Sequence, residues 1–540
     1  MNKVLLLLLS IGLSLSVNAK KYIVYFADKG NAQYKAADIT TSLTPLAIEK
    51  RQKNGLGFDR HDIAVNPAYL AGLEHNKVRI ISTSRWLNAA LVESDMEPVQ
   101  LTSASAHIQK VMEVKGTPSS TNKFGEELSS MLPGKANTPV VNRTNSTINY
   151  GDAAPQNLLY GIDYLHDKGY TGAGITVAFL DAGFRYLDQN TGFDSIRARN
   201  GIKATYDFWD NSADVFHKDS HGTFCAAYML GNIKDHYVGM APAVDVLLGI
   251  TDDQFTETHQ DEFSYVAGIE WAEAQGADII SASISYKDFD AGEGDYDLAD
   301  MDGKTTIAST GARIAAAKGL VLVNSAGNSG ILCTPCDVDS ILCVGGARND
   351  KTYDGISSFG PTADSRIKPD VAGQTINVVS LNTDGTPLLS SYGGTSSSAP
   401  QIAGLAACLK QANPTANNYQ IIQAIRRSAH NYDFPDNTTG YGVPNAKIAD
   451  DTLRVMLAVS DVKQNISFNL YPNPATNSVY VECAGKADAI TVMSAMGQMV
   501  LRIQPNTAVS LLDLSSLASG NYIVSVKTIN GSVSRMLTKR

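Results

Sequence analysis

Runs of apolar residues alternate with amphipathic segments between about residues 153 and 450, and this alternation predicts the main fold. Four runs are almost continuously apolar, which is typical of strands buried on both faces of a parallel sheet. Between them, residues 263–275 and 312–318 have the spacing of crossover helices. The pattern therefore predicts an α/β domain with a doubly wound, mostly parallel sheet. The predicted strands are 175–180, 244–250, 279–284 and 320–324.

Two smaller regions with different patterns flank this domain. Residues 20–115 combine strand-like runs with a helix-like run at 47–53, which predicts a small α+β domain. Residues 466–540 contain short β runs separated by turn residues, which predicts a β-sandwich module. The strand-like runs are 22–26, 78–82 and 89–93 in the first region and 478–482, 489–492 and 522–526 in the second.

The segments between these domains are interpreted as linkers. Residues 116–152 are polar and rich in proline, glycine, asparagine and serine, so we expect an irregular segment that is open to proteolytic cleavage. Residues 451–465 form the second predicted linker, which places the boundaries of the main domain at 153 and 450.

The amino terminus has the pattern of a secretory signal. Lys3 precedes an apolar run at 4–17, and Val17-Asn-Ala19 offers small residues for a signal peptidase. The run is shorter than the roughly 20 residues that a spanning helix needs. We therefore expect a signal peptide at residues 1–19, export, and no transmembrane anchor.

Composition narrows the classes of partner. The chain has 540 residues, of which 44% are hydrophobic and 18% charged, as in a globular protein of several domains. The net charge of −10 argues against a nucleic-acid partner, which favours a basic surface. The acidity is interpreted as a contribution to solubility.

The six cysteines are too few to hold a chain of this length together. Cys333 and Cys336 stand as C-x-x-C in a proline-containing loop, and we expect a local disulfide between them. A zinc site has little support, because no second pair of ligands stands at matching spacing. Cys225 and Cys408 fall in apolar helical runs, where buried free thiols are expected.

Four polar residues stand at the ends of predicted elements and have catalytic potential. Asp181 ends a strand, His221 lies in the first turn of a predicted helix, Asn328 follows another strand, and Ser396 precedes a helix. Together they offer a carboxylate to orient an imidazole, a general base, an amide donor and a nucleophile. Taken singly, each has a plain structural reading: a turn aspartate, a structural histidine, a turn asparagine or a helix cap.

The order Asp, His, Asn, Ser and the surrounding strings resemble the subtilase family over about 300 residues. The resemblance implies a subtilisin-like fold and a serine endopeptidase with the triad Asp181, His221 and Ser396. It also implies that Asn328 stabilises the oxyanion, that Ser396 rather than the neighbouring serines is the nucleophile, and that the chemistry needs no cofactor. The matching strings are Asp181-Ala-Gly, His221-Gly-Thr, Ala326-Gly-Asn, Ser358-Phe-Gly-Pro, Lys368-Pro-Asp and Gly394-Thr-Ser-Ser-Ser-Ala-Pro.

Two other functional classes compete with the endopeptidase. A catalytically silent subtilase fold that serves as a surface binding module predicts the loss of a triad member or of the oxyanion asparagine, and all four are present. A lipase or esterase of the α/β-hydrolase type requires the nucleophile first and the histidine last, together with a G-x-S-x-G turn. The chain has the opposite order, which excludes that class.

The same resemblance extends to candidate binding sites. Ser283, Ile284 and Ser285 are expected to pair with the backbone of an extended protein or peptide substrate, although a plain sheet strand is the alternative. The acidic stretch 288–302 is a candidate for structural calcium. It lacks the ligand spacing of an EF-hand, and a solvated loop is the favoured reading.

The flanking regions also resemble known modules. Residues 20–115 are similar in position and pattern to a subtilase propeptide, so the chain's own propeptide is an expected partner. Leu470-Tyr-Pro-Asn-Pro, Gly497-Gln, the run 514–522 and the basic end Lys539-Arg resemble a type IX secretion sorting domain. This implies contact with the type IX machinery and passage through the periplasm and outer membrane to the cell surface or medium. The alternative is a carbohydrate- or protein-binding β module.

Overall fold

The computed structural model describes residues 19–30, 42–116, 122–123, 146–464, 468–483, 487–494, 498–505, 507–528 and 531–540. The predicted signal peptide, apart from Ala19, and most of the predicted linker 116–152 lie outside these ranges. The chain divides into two compact units, Met1–Asp450 and Asp451–Arg540. Over the described ranges, no helix combines the length and apolar composition needed to cross a bilayer.

The first unit is built around a seven-stranded sheet with the order β13-β12-β11-β10-β5-β9-β6, in which every pairing is parallel. Its central strands are buried along their whole length, which explains the continuous apolar runs in the sequence. The strands of this sheet are β5 (Thr176–Asp181), β6 (Ile202–Asp207), β9 (Asp245–Ile250), β10 (Ile279–Ala282), β11 (Val321–Ser325), β12 (Leu342–Ala347) and β13 (Val371–Gln374). Two further antiparallel pairs lie outside it: β7 (Asn232–Ile233) pairs with β8 (Tyr237–Val238), and β14 (Ile376–Leu381) pairs with β15 (Pro387–Tyr392).

The chain reverses its direction of travel across the sheet between β5 and β10. From β5 it proceeds through β6 and β9 on one side and then through β10, β11, β12 and β13 on the other. In open parallel sheets, such a switch point leaves a crevice at the carboxyl ends of the two strands. The crevice therefore opens between Asp181, which ends β5, and Ser283, which follows β10.

Helices cover both faces of this sheet, as the alternating pattern predicts. The helix expected at 263–275 begins earlier, at His259, because Thr258 and Asp261 form a reciprocal capping box. The helices of the first unit from residue 154 onward are α4 (Ala154–Leu159), α5 (Asp163–His166), α6 (Asp194–Ala198), α7 (His221–Leu230), α8 (His259–Gln275), α9 (Ile307–Ala317), α10 (Gly394–Ala412), α11 (Asn418–Arg427) and α12 (Ala446–Gln464), which continues into the second unit.

The amino-terminal region is an α+β domain, as predicted. Its antiparallel sheet has the order β2-β3-β1-β4 and packs its inner face on the helices. Its other face reaches α8, where Ile23, Ala89 and Leu91 cluster with Phe263. The elements are β1 (Lys20–Phe26), α1 (Pro45–Lys53), α2 (Pro67–His75), β2 (Arg79–Ser84), β3 (Ala89–Ser94), α3 (Pro98–Ser103) and β4 (Ile108–Val114).

Buried ion pairs also join this domain to α8. Arg51 donates to Glu273 at 2.6 Å, and Arg85 lies 3.2 Å from the second oxygen of the same carboxylate. Glu270 accepts from the Ser84 hydroxyl and from the backbone of Trp86. Carboxylates with so little exposure need such partners, because the cost of removing them from water is otherwise not offset.

We expect Glu273→Gln to lower the free energy of unfolding of the intact chain by about 3 kcal/mol, because it leaves two buried guanidinium groups with less negative charge. The urea midpoint of the full-length chain measures this loss. Asp194→Asn is the matched control, because the Asp194 side chain is 69% exposed and its pair with Arg197 contributes no more than about 1 kcal/mol. Equal shifts in the two variants would contradict the structural role of Glu273.

The second unit holds a β-sandwich, also as predicted. One sheet has the order β16-β17-β20 and the other β19-β18-β21-β22, with antiparallel pairings. Alternate residues of both sheets meet in one core, among them Val481, Leu512, Val492 and Val524. The strands are β16 (Phe468–Tyr471), β17 (Ser478–Cys483), β18 (Ala489–Ser494), β19 (Met499–Ile503), β20 (Val509–Asp513), β21 (Gly520–Thr528) and β22 (Gly531–Lys539).

Residues 451–464, interpreted from the sequence as part of a linker, are helical because α12 continues through them to Gln464. Thr452-Leu-Arg-Val-Met-Leu-Ala458 consists mostly of good helix formers and contains neither glycine nor proline. The predicted end of the main domain at 450 therefore falls inside a helix.

The predicted disulfide between Cys333 and Cys336 is wrong: the bond joins Cys336 to Cys343. Cys336 Sγ lies 3.3 Å from the carbonyl oxygen of Ser325, over the end of β11. Cys343 stands beside that point because β12 pairs with β11. Cys333 remains a buried free thiol, as do Cys225 and Cys408, for which this was predicted.

Candidate active site

Asp181 and His221 meet at the crevice between β5 and β10. Asp181 Oδ1 accepts a hydrogen bond from His221 Nδ1 at 2.7 Å, and both side chains are about 2–3% exposed. The same carboxylate oxygen accepts the backbone N–H of Ala182 at 2.8 Å. The carboxylate therefore fixes the orientation of the imidazole and favours the tautomer with a proton on Nδ1.

The electrostatics of His221 follow from this pair. Burial alone lowers the pKa of an imidazole, but the charge of Asp181, with a smaller effect of Cys225, outweighs it and raises the pKa of His221 well above its ordinary value. A positive charge on His221 is therefore stabilised where it stands, which a general base requires after it has taken a proton.

Local sequence places His221 at the start of α7. Asp219 Oδ1 accepts the backbone N–H of His221 at 2.7 Å, so the helix begins at the predicted residue. Gly222 is needed directly after it, because a Cβ there would lie 2.5 Å from the carbonyl oxygen of Gly183 and 2.9 Å from Asp181 Cβ. The glycine lets the helix approach closely enough for the imidazole to reach Asp181.

Ser396 lies in the first turn of α10, on the other side of the crevice. Its hydroxyl donates to the carbonyl oxygen of Ser283 at 3.3 Å. In return, the Ser283 hydroxyl donates to the Ser396 carbonyl at 3.1 Å. That carbonyl is available because Pro400, four residues on, has no N–H to close the usual helical hydrogen bond. The proline thus leads to a direct link between the serine and the end of β10.

The neighbouring serines have other partners. Ser397 Oγ donates to the carbonyl oxygens of Gln374 and Gly394, and Ser398 Oγ donates to that of Thr395. Both hydroxyls are thus bound to the backbone of the helix start and the adjacent strand. This arrangement favours Ser396 over Ser397 and Ser398 as the reactive hydroxyl.

Asn328 lies beside the same helix start. Its Oδ1 accepts from the backbone N–H of Thr395 at 3.0 Å and from the Thr395 hydroxyl at 3.1 Å. The two bonds fix the plane of the amide, so that Nδ2 faces away from Thr395 as a donor. Thr395 was not singled out from the sequence, although its place directly before Ser396 is the signal that identifies it.

Ser283, Ile284 and Ser285 continue from the end of β10 along the crevice. The Ile284 carbonyl accepts from the Asn324 amide at 2.7 Å, and its side chain lies in the core. Ser285 Oγ lies close to Gly327, in the loop that carries Asn328. The three residues predicted to bind substrate are therefore brought together with Ser396 and Asn328.

Cys225 completes the surroundings of the imidazole. Four residues after His221 in α7, its Sγ lies 3.7 Å from Nδ1 and 4.0 Å from Nε2. Burial raises the pKa of this thiol to about 11, so it is neutral. The sequence identified Cys225 as buried but did not place it beside His221, although a spacing of four residues in a helix puts both on one face.

Carboxylates of the acidic stretch 288–302 are hydrogen-bonded within their own loops. Its carboxylates accept backbone N–H groups of their own loops: Asp295 from Phe289, Asp297 from Ala299, and Asp302 from Lys304. Among the residues that the structure describes, groups of three potential metal ligands occur elsewhere and do not include this stretch. The solvated-loop reading fits these contacts.

The sheet domain has the sequence of a known peptidase family. Residues 172–442, just over half of the chain, match the model of the subtilase family of S8 peptidases. The chain belongs to the subtilase family. The predicted subtilisin-like fold of the central domain is thereby confirmed.

Family models also match both flanking regions of the subtilase. Residues 21–127 match the S8 peptidase propeptide domain of Bacteroidota, and residues 469–540 match a secretion system C-terminal sorting domain. The predicted resemblance of these regions to a propeptide and to a type IX sorting domain is confirmed.

Individual proteins of known description are similar in sequence to part of this subtilase. Subtilisin-like protease SBT6.1 of Arabidopsis thaliana is 26% identical over 350 residues, which are 61% of this chain and 30% of the relative. The thermophilic serine proteinase of Bacillus sp. strain AK1 is 28% identical over 297 residues, 54% of this chain and 65% of the relative. The chain thus spans less than two thirds of the length of these relatives.

A solved structure shares the fold. Fervidolysin from Fervidobacterium pennivorans, a keratinolytic enzyme related to subtilisin, aligns with a TM-score of 0.54 and 16% identity over 94% of this subtilase and 70% of that chain. At this identity, the likeness establishes the fold of the subtilase alone.

Proposed function

We propose that this subtilase is a secreted serine endopeptidase that hydrolyses peptide bonds of proteins through Asp181, His221 and Ser396. The observation that carries the proposal is the buried hydrogen bond of 2.7 Å between Asp181 and His221, set in a crevice that Ser396 enters from the opposite side. A charged pair of this kind is costly to bury and serves a general base well.

The proposed mechanism uses side chains and backbone alone. His221 removes the hydroxyl proton of Ser396 as Oγ attacks the scissile carbonyl carbon, and Asp181 stabilises the resulting imidazolium. The Asn328 amide and the backbone N–H of Ser396 donate to the oxyanion of the tetrahedral intermediate. His221 then gives its proton to the leaving amine, and water hydrolyses the acyl-enzyme by the reverse sequence of proton transfers.

The substrate backbone is proposed to lie along Ser283, Ile284 and Ser285. These residues extend from β10 to the loop of Asn328, so an extended peptide that pairs with them passes Ser396. Main-chain pairing of this kind holds a peptide with little demand on its side chains.

We further propose that maturation and export follow the domain boundaries predicted from the sequence. The signal at 1–19 directs the chain to the periplasm, cleavage within 116–152 releases the propeptide, and the sorting domain directs passage across the outer membrane to the surface or medium. The propeptide and sorting-domain matches support this order.

A fluorophosphonate probe tests the proposal, because it reacts with an activated serine and not with an ordinary one. The matured wild-type chain is expected to be labelled at Ser396, and the Ser397→Ala variant to be labelled equally. Ser396→Ala is expected to remain unlabelled. If the wild-type chain is not labelled at Ser396, the proposal fails in favour of the silent binding module.

A further inference from the structure

An acidic pocket lies in the loop between β9 and α8 and in the first turn of α8. It is formed by Asp252, Glu257 and Asp261, and the side chain of Lys123 occupies it. Lys123 Nζ lies 2.9 Å from Glu257 and 3.7 Å from each of the two aspartates, and it donates to the Thr256 carbonyl at 2.7 Å. The occupant lies near the carboxyl end of residues 21–127, which match the propeptide domain.

The occupant is held by its backbone as well as by its side chain. The backbone N–H of Lys123 donates to the carbonyl of Gln254 at 2.9 Å. The preceding Asn122 donates from its side-chain amide to Asp219 Oδ2, while Asp219 Oδ1 holds the backbone N–H of His221. A main-chain hydrogen bond combined with a side chain in a pocket is how an extended peptide is recognised.

The acidic pocket shares its walls with the proposed catalytic site. The backbone N–H of Thr251, next to Asp252, donates to the Asp181 carbonyl at 3.0 Å. On the other side, the hydroxyl of Tyr286 donates to Asp252 Oδ2 at 3.1 Å, and Tyr286 directly follows the substrate-binding segment. A peptide that passes Ser396 along this segment is therefore within reach of the pocket.

The charge of the pocket favours a cation. Three carboxylates face one ammonium group, and Glu257 Oε1 is buried without a hydrogen-bond partner in the part of the chain that the structure describes. Burial raises the pKa of Glu257 to about 7 and that of Asp252 well above its ordinary value. Burial lowers the pKa of Lys123, but the three carboxylates outweigh this effect and raise it. When Lys123 leaves, the pocket loses the cation that offsets this negative charge.

From this geometry we infer that the acidic pocket is a specificity pocket for a lysine side chain of the substrate, and that Lys123 is its intramolecular occupant before maturation. The inference rests on the proposed peptidase function and adds a substrate class to it. The competing explanation is that Lys123 only anchors the propeptide segment, in which case the pocket has no role in substrate choice.

Peptides supplied to the matured enzyme separate these explanations. The full-length chain is expressed and allowed to mature, and quenched fluorescent peptides of one sequence carry lysine or norleucine at each position in turn around the scissile bond. We expect lysine to raise kcat/KM by about 10- to 100-fold over norleucine at one fixed position, the range typical of one well-recognised side-chain group. Arginine peptides at that position measure how closely the pocket fits lysine.

Substitutions then assign the preference to the pocket. Glu257→Gln keeps the size of the side chain and removes one of the excess charges, and it is expected to lower the ratio of lysine to norleucine kcat/KM by about tenfold. Asp194→Asn removes a charge from an exposed site and is expected to leave the ratio unchanged.

The outcomes are distinct. Cleavage of both peptide sets at equal rates overturns the specificity pocket and leaves the peptidase intact, and so does a preference for lysine that survives Glu257→Gln. Cleavage of no peptide, with or without lysine, overturns the proposed function itself.

Discussion

Ser396→Ala is expected to lower the kcat of peptide hydrolysis by about 10⁶-fold, the effect measured for the nucleophile in subtilisin. The hydroxyl of Ser396 is the only group of that side chain that can form the acyl-enzyme. Casein hydrolysis and the fraction of chain that retains its propeptide are the two measurements. Both are expected to show an inactive, unprocessed protein.

Ser398→Ala is the matched control for this result. It removes a hydroxyl that bonds to the Thr395 carbonyl in the same turn, so it tests the loss of a serine without loss of the nucleophile. The assignment of Ser396 is wrong if casein hydrolysis continues at the wild-type rate in Ser396→Ala, or if Ser398→Ala is equally inactive.

The sheet and the location of the candidate site were predictable because both follow from local patterns. Strands such as β5 and β11 are buried on both faces, so most of their residues are apolar and the run stands out from the polar residues at its end. Polar residues directly after such runs lie at the carboxyl edge of the sheet, where a parallel fold gathers ligands. Asp181 was located in this way, because it is the last residue of β5.

What the sequence left undecided depends on contacts between distant residues. Along the chain Cys336 is closer to Cys333 than to Cys343, and its bond to Cys343 follows from the pairing of β11 with β12. The acidic pocket joins Lys123 to carboxylates about 130 residues away, and Asp261 serves it while also capping α8. A contact of this kind, between Lys123 and a distant loop, leaves no periodic pattern in the sequence.

The contacts that position the candidate catalytic residues could not be predicted from the sequence either. Thr395 orients Asn328, and Pro400 leaves the Ser396 carbonyl to Ser283. Both residues stand in the string that resembles the family, but their role appears only when the end of β10 and the start of α10 are seen side by side. The sequence thus identifies the candidate reactive groups, whereas the contacts that hold them in place appear only in the structure.

Asp181→Asn is expected to lower kcat/KM by about 10⁴-fold at neutral pH, the size of the effect known for the equivalent change in a serine protease triad. The amide keeps the shape of the carboxylate but presents a donor or a neutral oxygen to His221 Nδ1, so the imidazole loses both its favoured tautomer and the charge that stabilises its protonated form. Steady-state hydrolysis of one peptide by the matured variant measures the loss.

The pH dependence identifies the cause of that loss. In the wild type, burial lowers the pKa of His221 and Asp181 raises it by more, so the neutral base is populated only above a raised pKa. Asp181→Asn removes the charge and keeps the burial, so the pKa of His221 falls and the rise of kcat/KM with pH shifts to lower pH. Because Asp181 Oδ1 is the partner of the imidazole at 2.7 Å, a midpoint that stays in place would mean that Asp181 does not act on His221 through its charge. A loss of less than about tenfold would contradict its place in the triad altogether.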